Sequence, residues 1–278
     1  MACAGVQVRG ARDIIPALDA TVGPLNPEGG FSYTLAPPRA TALKDFRVAV
    51  WADDPDCPID QDVRGAIDDA VAALRGTGAR VVEHPVSIPV DLAISHELFL
   101  SLVMAAFSVD RSAISLRSGA ALAVRSMMDP RGDGAAAMRG TIQSHRAWLL
   151  RDAARREIAQ RWVGFFKEFD VLLLPVTPTA APGHHNKDHD RFGRTIEVDG
   201  VARSYWDQTK WSALANIAGA PATTMPITTN AAGLPIGIQA MGPPGGDRTT
   251  VEFAALLTEI LGGYRIPPQH RSSVPSTA

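Results

Sequence analysis

The sequence predicts an α/β protein built on a mixed sheet flanked by helices. Two short β-branched runs, residues 46–51 and 79–83, enclose residues 63–74, where apolar side chains recur at helical intervals. This strand, helix, strand order has a connection long enough for a parallel crossover. Residues 170–175 form an apolar run that ends at a proline, which is typical of a central strand opening onto a loop. An Asp-Gly pair within residues 195–203 predicts a two-residue hairpin, and hence an antiparallel component.

The remaining pattern completes one α/β unit. Helices are predicted over residues 12–20, 93–109, 141–169 and 249–261, and strands over residues 222–227 and 235–241. Asp13 and Asp247 are placed to cap the first and last of these helices. Residues 129–134 contain the proline and glycines that interrupt the middle helices. We expect residues 1–268 to form one domain and residues 269–278 to be a disordered tail.

Composition bounds the class of protein and its partners. The 278 residues are 46% hydrophobic and carry a formal net charge of −2, and neither sign of charge forms a long block. This balance predicts an ordinary globular protein and argues against a nucleic-acid or membrane partner. Cys3 and Cys57 are too few for a disulfide framework or a cysteine-rich zinc site. No secretory leader or membrane-spanning run is recognisable, so we expect a cytoplasmic protein.

Three motifs in fixed order carry a family resemblance. They are FDVLLLPVTPTAAP at residues 169–182, NIAGAPA at residues 216–222 and GLPIGIQ at residues 233–239. Together they resemble the C-terminal portion of the amidase-signature family, and residues 8–23 resemble the segment that follows its Gly/Ser-rich signature. The resemblance implies hydrolysis of a carbon-nitrogen bond in a small-molecule amide. It also implies a serine nucleophile, a bridging serine in a cis peptide and a lysine base.

The catalytic part of that resemblance is missing from the sequence. No segment places paired serines among glycines, where backbone N–H groups would receive an oxyanion. Lys44 precedes Ser115 and Ser118 in the right chain order, but those serines lack the flanking glycines. We therefore predict no catalytic residue in this chain and negligible amidase activity unless a second polypeptide supplies the triad. The alternatives are a noncatalytic binding protein that keeps the amidase half-fold, and an incomplete gene product.

Candidate binding residues come from the aromatic cluster near residue 210. Trp206 and Trp211 are suited to line an apolar amide pocket, with Thr223 nearby at the start of a strand. Core packing is the alternative role for these tryptophans. The histidine-rich residues 184–190 are interpreted as a solvated loop, with a metal site as the alternative. Glycine and proline on either side disfavour a helix that would align the histidines. We predict no metal and no cofactor.

Overall fold

The computed structural model describes residues 3, 5–24, 29–30, 32–109, 123–124, 126–129, 132–184 and 193–266. Its main sheet has five strands in the order β2-β1-β3-β7-β6. The strands are β1 Arg47–Val50, β2 Arg80–Glu83, β3 Val171–Pro175, β6 Ala222–Thr229 and β7 Pro235–Met241. β1 is parallel to β2 and β3, whereas β7 is antiparallel to β3 and β6. The mixed sheet and the central place of β3 are confirmed.

Seven helices and a separate hairpin complete the part of the chain described. The helices are α1 Ile14–Thr21, α2 Gln61–Gly76, α3 Leu92–Phe107, α4 Asp133–Ile142, α5 His145–Phe165, α6 Lys210–Ala218 and α7 Asp247–Leu261. The hairpin consists of β4 Thr195–Val198 and β5 Val201–Ser204 and forms its own two-stranded sheet. Asp199 and Gly200 have φ values of 47° and 79°, as the predicted two-residue turn requires. The hairpin runs directly into a 3-10 turn, Tyr205–Thr209.

The sheet is covered on both faces. All five residues of β3 are buried, which requires packing from both sides because strand side chains alternate. Phe46, just before β1, packs edge-on against Phe253 of α7, and α2 packs beside α7. Five residues later Trp51 packs edge-on against Trp211 of α6 on the opposite face. α3 and α5 pack on α6, and α4 packs on α3, so the helices form a second layer there.

Several predicted boundaries are wrong for identifiable reasons. The helix expected over residues 141–169 is two helices, because Ser144 caps α5 by accepting a hydrogen bond from the Ala147 N–H. α4 begins inside the expected breaker, with Gly132 at its N-cap position. Asp247 is the first residue of α7 and Gly246 holds the cap position, so the predicted aspartate cap is wrong. Asp13 occupies the N-cap position of α1, but its side chain makes no capping hydrogen bond.

Residues 269–278, the expected tail, lie outside the described residues. Among the helices that the structure describes, none combines the length and the apolar character needed to cross a membrane.

Candidate functional site

A cleft of about 1460 Å³ lies between two walls. The first wall comes from α3, α4 and the residues before α4, and it presents apolar side chains including Ile94, Val124 and Met128. The second wall comes from the β4-β5 hairpin, the 3-10 turn after it and the start of α6. Charged residues such as Glu97 and Asp133 border the cleft on the first wall as well, so apolar and charged groups lie side by side there.

A hydrogen-bonded chain joins the two walls. His96 of α3 is 2% exposed, and its Nδ1 lies 3.4 Å from Oδ1 of Asp133, the first residue of α4. The other carboxylate oxygen of Asp133 accepts a hydrogen bond of 2.6 Å from the Ser204 hydroxyl, at the end of β5. On its opposite side His96 Nε2 lies 2.8 Å from Oγ1 of Thr209, in the 3-10 turn. We call His96, Asp133, Ser204 and Thr209 the latch.

The carboxylate of Asp133 is ionised at neutral pH. Burial acts to raise its pKa, but the hydrogen bond and positive charge of His96 act in the opposite direction. The Ser204 hydrogen bond and the charge of Lys210 add to that effect, so the pKa of Asp133 lies below its ordinary value. Its place at the N-terminus of α4 also suits a negative charge, because the helix dipole is positive there.

A second group of charges lies beside the latch on the hairpin wall. Asp207 is buried and pairs with Nε of Arg203 at 2.7 Å and with Nζ of Lys210 at 2.9 Å. Both cations also donate to the Asp56 carbonyl, at 2.6 Å and 2.8 Å. The Cys57 thiol donates to the Asp207 carbonyl at 3.5 Å. These contacts fix the direction of each charged group on this wall.

The cleft does not contain the arrangement that activates a serine. In a hydrolytic triad the imidazole lies between the serine and the carboxylate and takes the serine proton. Here the Asp133 carboxylate lies between Ser204 and His96, so the Ser204 proton is directed to a carboxylate that remains ionised. Nζ of Lys210 is directed at the Asp207 carboxylate and the Asp56 carbonyl, and among the residues described neither contact turns it toward a serine. The geometry suits recognition of a ligand.

A smaller cavity of about 290 Å³ lies at the C-terminal end of β3. It is lined by the loop that follows Pro175, including Thr177 and Thr179, and by residues of β6 and β7 such as Thr224 and Ile236. Gln239 of β7 donates from Nε2 to the Pro175 carbonyl at 2.8 Å and so holds the end of the central strand. The central strand ends at a loop, as its proline-ended pattern predicts, and that loop borders the cavity.

The predicted binding residues are placed apart from both cavities. Trp211 is fully buried against Trp51, and Thr223 is buried with its hydroxyl donating to the Thr250 hydroxyl at 2.8 Å. Trp206 is half-buried in the 3-10 turn, where its backbone N–H donates to the Ser204 hydroxyl at 3.2 Å. None of the three lines either described cavity. Contact between these residues and a substrate stays a prediction.

Some of the other candidate residues lie within the described part of the chain and some do not. Lys44 lies in a 3-10 turn, Leu43–Asp45, whereas Ser115 and Ser118 lie outside the described residues. His184 is exposed, and the rest of the histidine-rich segment is outside the description. Among residues whose placement is described, no group of three His, Cys, Asp or Glu side chains is arranged to hold a metal ion.

Sequence reasoning missed His96 and Asp133. His96 is one of the polar residues in the apolar run that predicts α3, and a buried polar residue needs a partner. That signal indicates that His96 is bonded but does not name the partner. Asp133 lay in a segment interpreted as a breaker, which concealed its position at a helix start.

The structure is that of an α/β protein whose central sheet is enclosed by helices, with one cavity at a strand end and another between helix and hairpin. The sequence model of the Amidase family matches residues 1–251, and the chain belongs to that family. The resemblance carried by the three motifs is thereby confirmed.

Known relatives agree with the family and show how much of it the chain represents. Indoleacetamide hydrolase of Bradyrhizobium japonicum is 25% identical over 228 residues, which is 82% of this chain and 45% of that protein. Two solved structures share the fold. A bacterial aryl acylamidase of the amidase-signature family has a TM-score of 0.64 at 18% identity, with 90% of this chain and 51% of that chain covered. 6-Aminohexanoate cyclic dimer hydrolase has a TM-score of 0.66 at 20% identity, with 94% and 55% covered. The chain thus spans about half the length of these relatives.

Proposed function

We propose that this protein takes part in hydrolysis of carbon-nitrogen bonds in small-molecule amides. We further propose that its own 278 residues turn over such amides negligibly unless a second polypeptide supplies the serine pair and the lysine. The family supports the reaction class. The observation that carries the second statement is the sequence, which has no Gly/Ser-rich segment with paired serines.

The geometry supports the same proposal. Lys210, the lysine that borders the large cleft, is held by Asp207 and by a backbone carbonyl, and Ser204 is bonded to Asp133. A lysine base needs a neutral amine beside its serine. The chain's own contribution is therefore a rigid sheet and two cavity walls, with Trp206, Trp211 and Thr223 kept as proposed substrate-side residues.

The experiment is ammonia release from the purified chain with a panel of simple amides, including acetamide, benzamide and indole-3-acetamide. We expect rates equal to those of a buffer blank. Matched variants Ser115→Ala, Ser118→Ala and Lys44→Ala keep the measurement decisive. Robust turnover that a single serine substitution abolishes would overturn the proposal, since it would identify a nucleophile within this chain.

A noncatalytic binding protein is the second candidate, and the intact large cleft is the observation that favours it. Ion pairs are present on both of its walls, His96 with Asp133 on the helical side and Asp207 with Lys210 on the hairpin side, beside apolar side chains such as Ile94. Calorimetric titration of the same amides into the chain separates the candidates, because binding without turnover supports a binding role. We keep the cytoplasm as the proposed location, in accord with two free thiols, Cys3 and Cys57.

A further inference from the structure

The latch is the one polar connection in the large cleft that links its two walls through a titratable ring, among the residues described. His96 and Asp133 belong to the helical wall, and Ser204 and Thr209 belong to the hairpin wall. α4 packs mainly on α3, so its N-terminal end meets the second wall through Asp133. The state of this contact therefore bears directly on how far apart the walls lie.

Each ring nitrogen of His96 faces one oxygen. The Thr209 hydroxyl has a single proton, which it donates to the Trp206 carbonyl at 2.8 Å. With its proton on that carbonyl, the Thr209 oxygen is placed to accept a hydrogen bond from Nε2 of His96. On the other side of the ring Nδ1 faces the ionised Asp133 carboxylate, and that contact is attractive only if Nδ1 is also protonated.

Charged groups from both walls surround the ring, with Asp133 in direct contact. From the hairpin wall, Asp207 faces the site together with its partners Arg203 and Lys210. On α3 itself Glu97 is paired with Arg139 of α4 at 2.6 Å. The ring also stacks on Phe99, with centroids 6.3 Å apart.

We propose that His96 makes the latch proton-dependent: with both ring nitrogens protonated it holds the two walls of the cleft together, and loss of the Nδ1 proton lets them separate. Without that proton two lone pairs face each other across the contact, and the half-buried, ionised Asp133 loses its charged partner. The N-terminal end of α4 is the part that moves, because its C-terminal half is in close contact with α3 at Gly140. The inference concerns access to the cleft and is independent of amide hydrolysis.

The first test uses the unaltered chain. Histidine ring-nitrogen NMR at about pH 6 reports the number of protons on each imidazole, within the range in which histidine changes charge. We expect the His96 signals, assigned by their loss in His96→Gln, to show both nitrogens protonated. A ring with one bare nitrogen at that pH overturns the proposal.

The second test follows the wall itself. Hydrogen exchange is measured at about pH 6 and about pH 8.5, a range that spans ordinary histidine titration. The exchange rate of each amide is divided into the rate expected for an unfolded chain at the same pH, which gives its protection. We expect protection of amides in residues 134–138 to fall about tenfold or more at the higher pH in the wild type. The fall should be absent in His96→Gln and in Asp133→Asn.

The control is His145→Gln, which removes an exposed histidine that stacks on Trp148 at the start of α5. It should keep the full pH dependence. Equal protection at both pH values in the wild type, or loss of the dependence in His145→Gln, would overturn the proposal. If His96→Gln does not fold, wild-type exchange and the Asp133→Asn variant decide it.

Discussion

Asp170 lies directly before β3 and joins the starts of two parallel strands. Its carboxylate accepts from the backbone N–H of Arg47 at 3.0 Å and from that guanidinium at 2.7 Å and 3.1 Å, and Arg39 adds a contact at 3.3 Å. Burial acts to raise the pKa of Asp170, but the Arg47 hydrogen bonds and charge, with help from Arg39, lower it below the ordinary value. The lowered pKa means that ionised Asp170 stabilises the fold.

We therefore expect Asp170→Asn to lower the free energy of unfolding by about 2–3 kcal/mol at neutral pH, since a charge pair is broken in a partly enclosed site. A depressed folded-state pKa contributes stability above the unfolded pKa and loses it as pH falls through the folded value. The difference between variant and wild type should therefore shrink on acidification. Urea titrations at several pH values measure it, with Asp68→Asn, an exposed carboxylate on α2, as control. An equal loss in both variants would contradict the assignment.

Cys57 provides a prediction about reactivity. Its side chain is fully buried, and burial, with the nearby negative charge of Asp207, raises its pKa to about 12. The thiol is therefore protonated and inaccessible at pH 8, whereas Cys3 is exposed. We expect a chromogenic disulfide reagent to titrate one thiol per native chain and two in denaturant. Two rapidly reacting thiols in the native chain would show that the segment around Cys57 opens.

At the scale of elements, the α3-α4 pair depends on one glycine. A Cβ added at Gly140 would lie 2.4 Å from the Ser101 carbonyl oxygen and 2.9 Å from the Ser101 Cα, both of them backbone atoms. The two helices approach each other closely because residue 140 has no side chain. This contact fixes the end of α4 that lies away from the latch.

Gly140→Ala should consequently destabilise the chain by about 1–3 kcal/mol, because backbone must shift to admit the methyl group. The matched control is Gly164→Ala on α5, where no atom lies within 4 Å of the added Cβ. There the better helix propensity of alanine should be neutral or stabilise by up to about 1 kcal/mol. Thermal unfolding of both variants compares them. Similar melting temperatures for the two would show that α3 and α4 are not tightly packed at residue 140.

Elements dominated by local chemistry were predictable from sequence. The β-branched runs of β1 and β2, the apolar run of β3 and the Asp199-Gly200 turn specify their conformations within a few residues. The start of α4 was missed because Gly132 served as its N-cap, where the glycine pattern indicated only a break. Local sequence signals do not distinguish a glycine that ends one helix from a glycine that caps the start of the next.

The candidate site was not predictable by the same means. The latch joins His96, Asp133 and Ser204, which come from three separate elements, and their proximity depends on how those elements pack. Trp211 illustrates the converse difficulty, because an aromatic residue suits a pocket or a core equally well. Its ring packs edge-on against Trp51 and is part of the core. The family motifs indicated the scaffold, and packing created the cleft.

At the scale of the whole molecule, one hydrophobic core joins the sheet to most of the helices. It extends from Phe46 and the β strands through α2, α5, α6 and α7, and it reaches α3 at Leu92. The buried residues of α4 lie outside this cluster and pack on α3. The expectation of a single domain over residues 1–268 thus depends on whether the α3-α4 pair unfolds with the core.

We expect one cooperative transition at about pH 6, where the latch is closed. Tryptophan fluorescence reports the core, because Trp51, Trp162 and Trp211 are buried in it, and far-ultraviolet circular dichroism reports all helices, including α3 and α4. The two signals should give the same urea midpoint, since α3 shares buried surface with α6 and the latch ties α4 to the hairpin wall. An earlier loss of helical signal, with fluorescence unchanged, would mean that α3 and α4 form a separate, weaker unit. The His96→Gln variant should show that earlier loss of helical signal even where the wild type does not, because it removes the connection that makes the two walls unfold together.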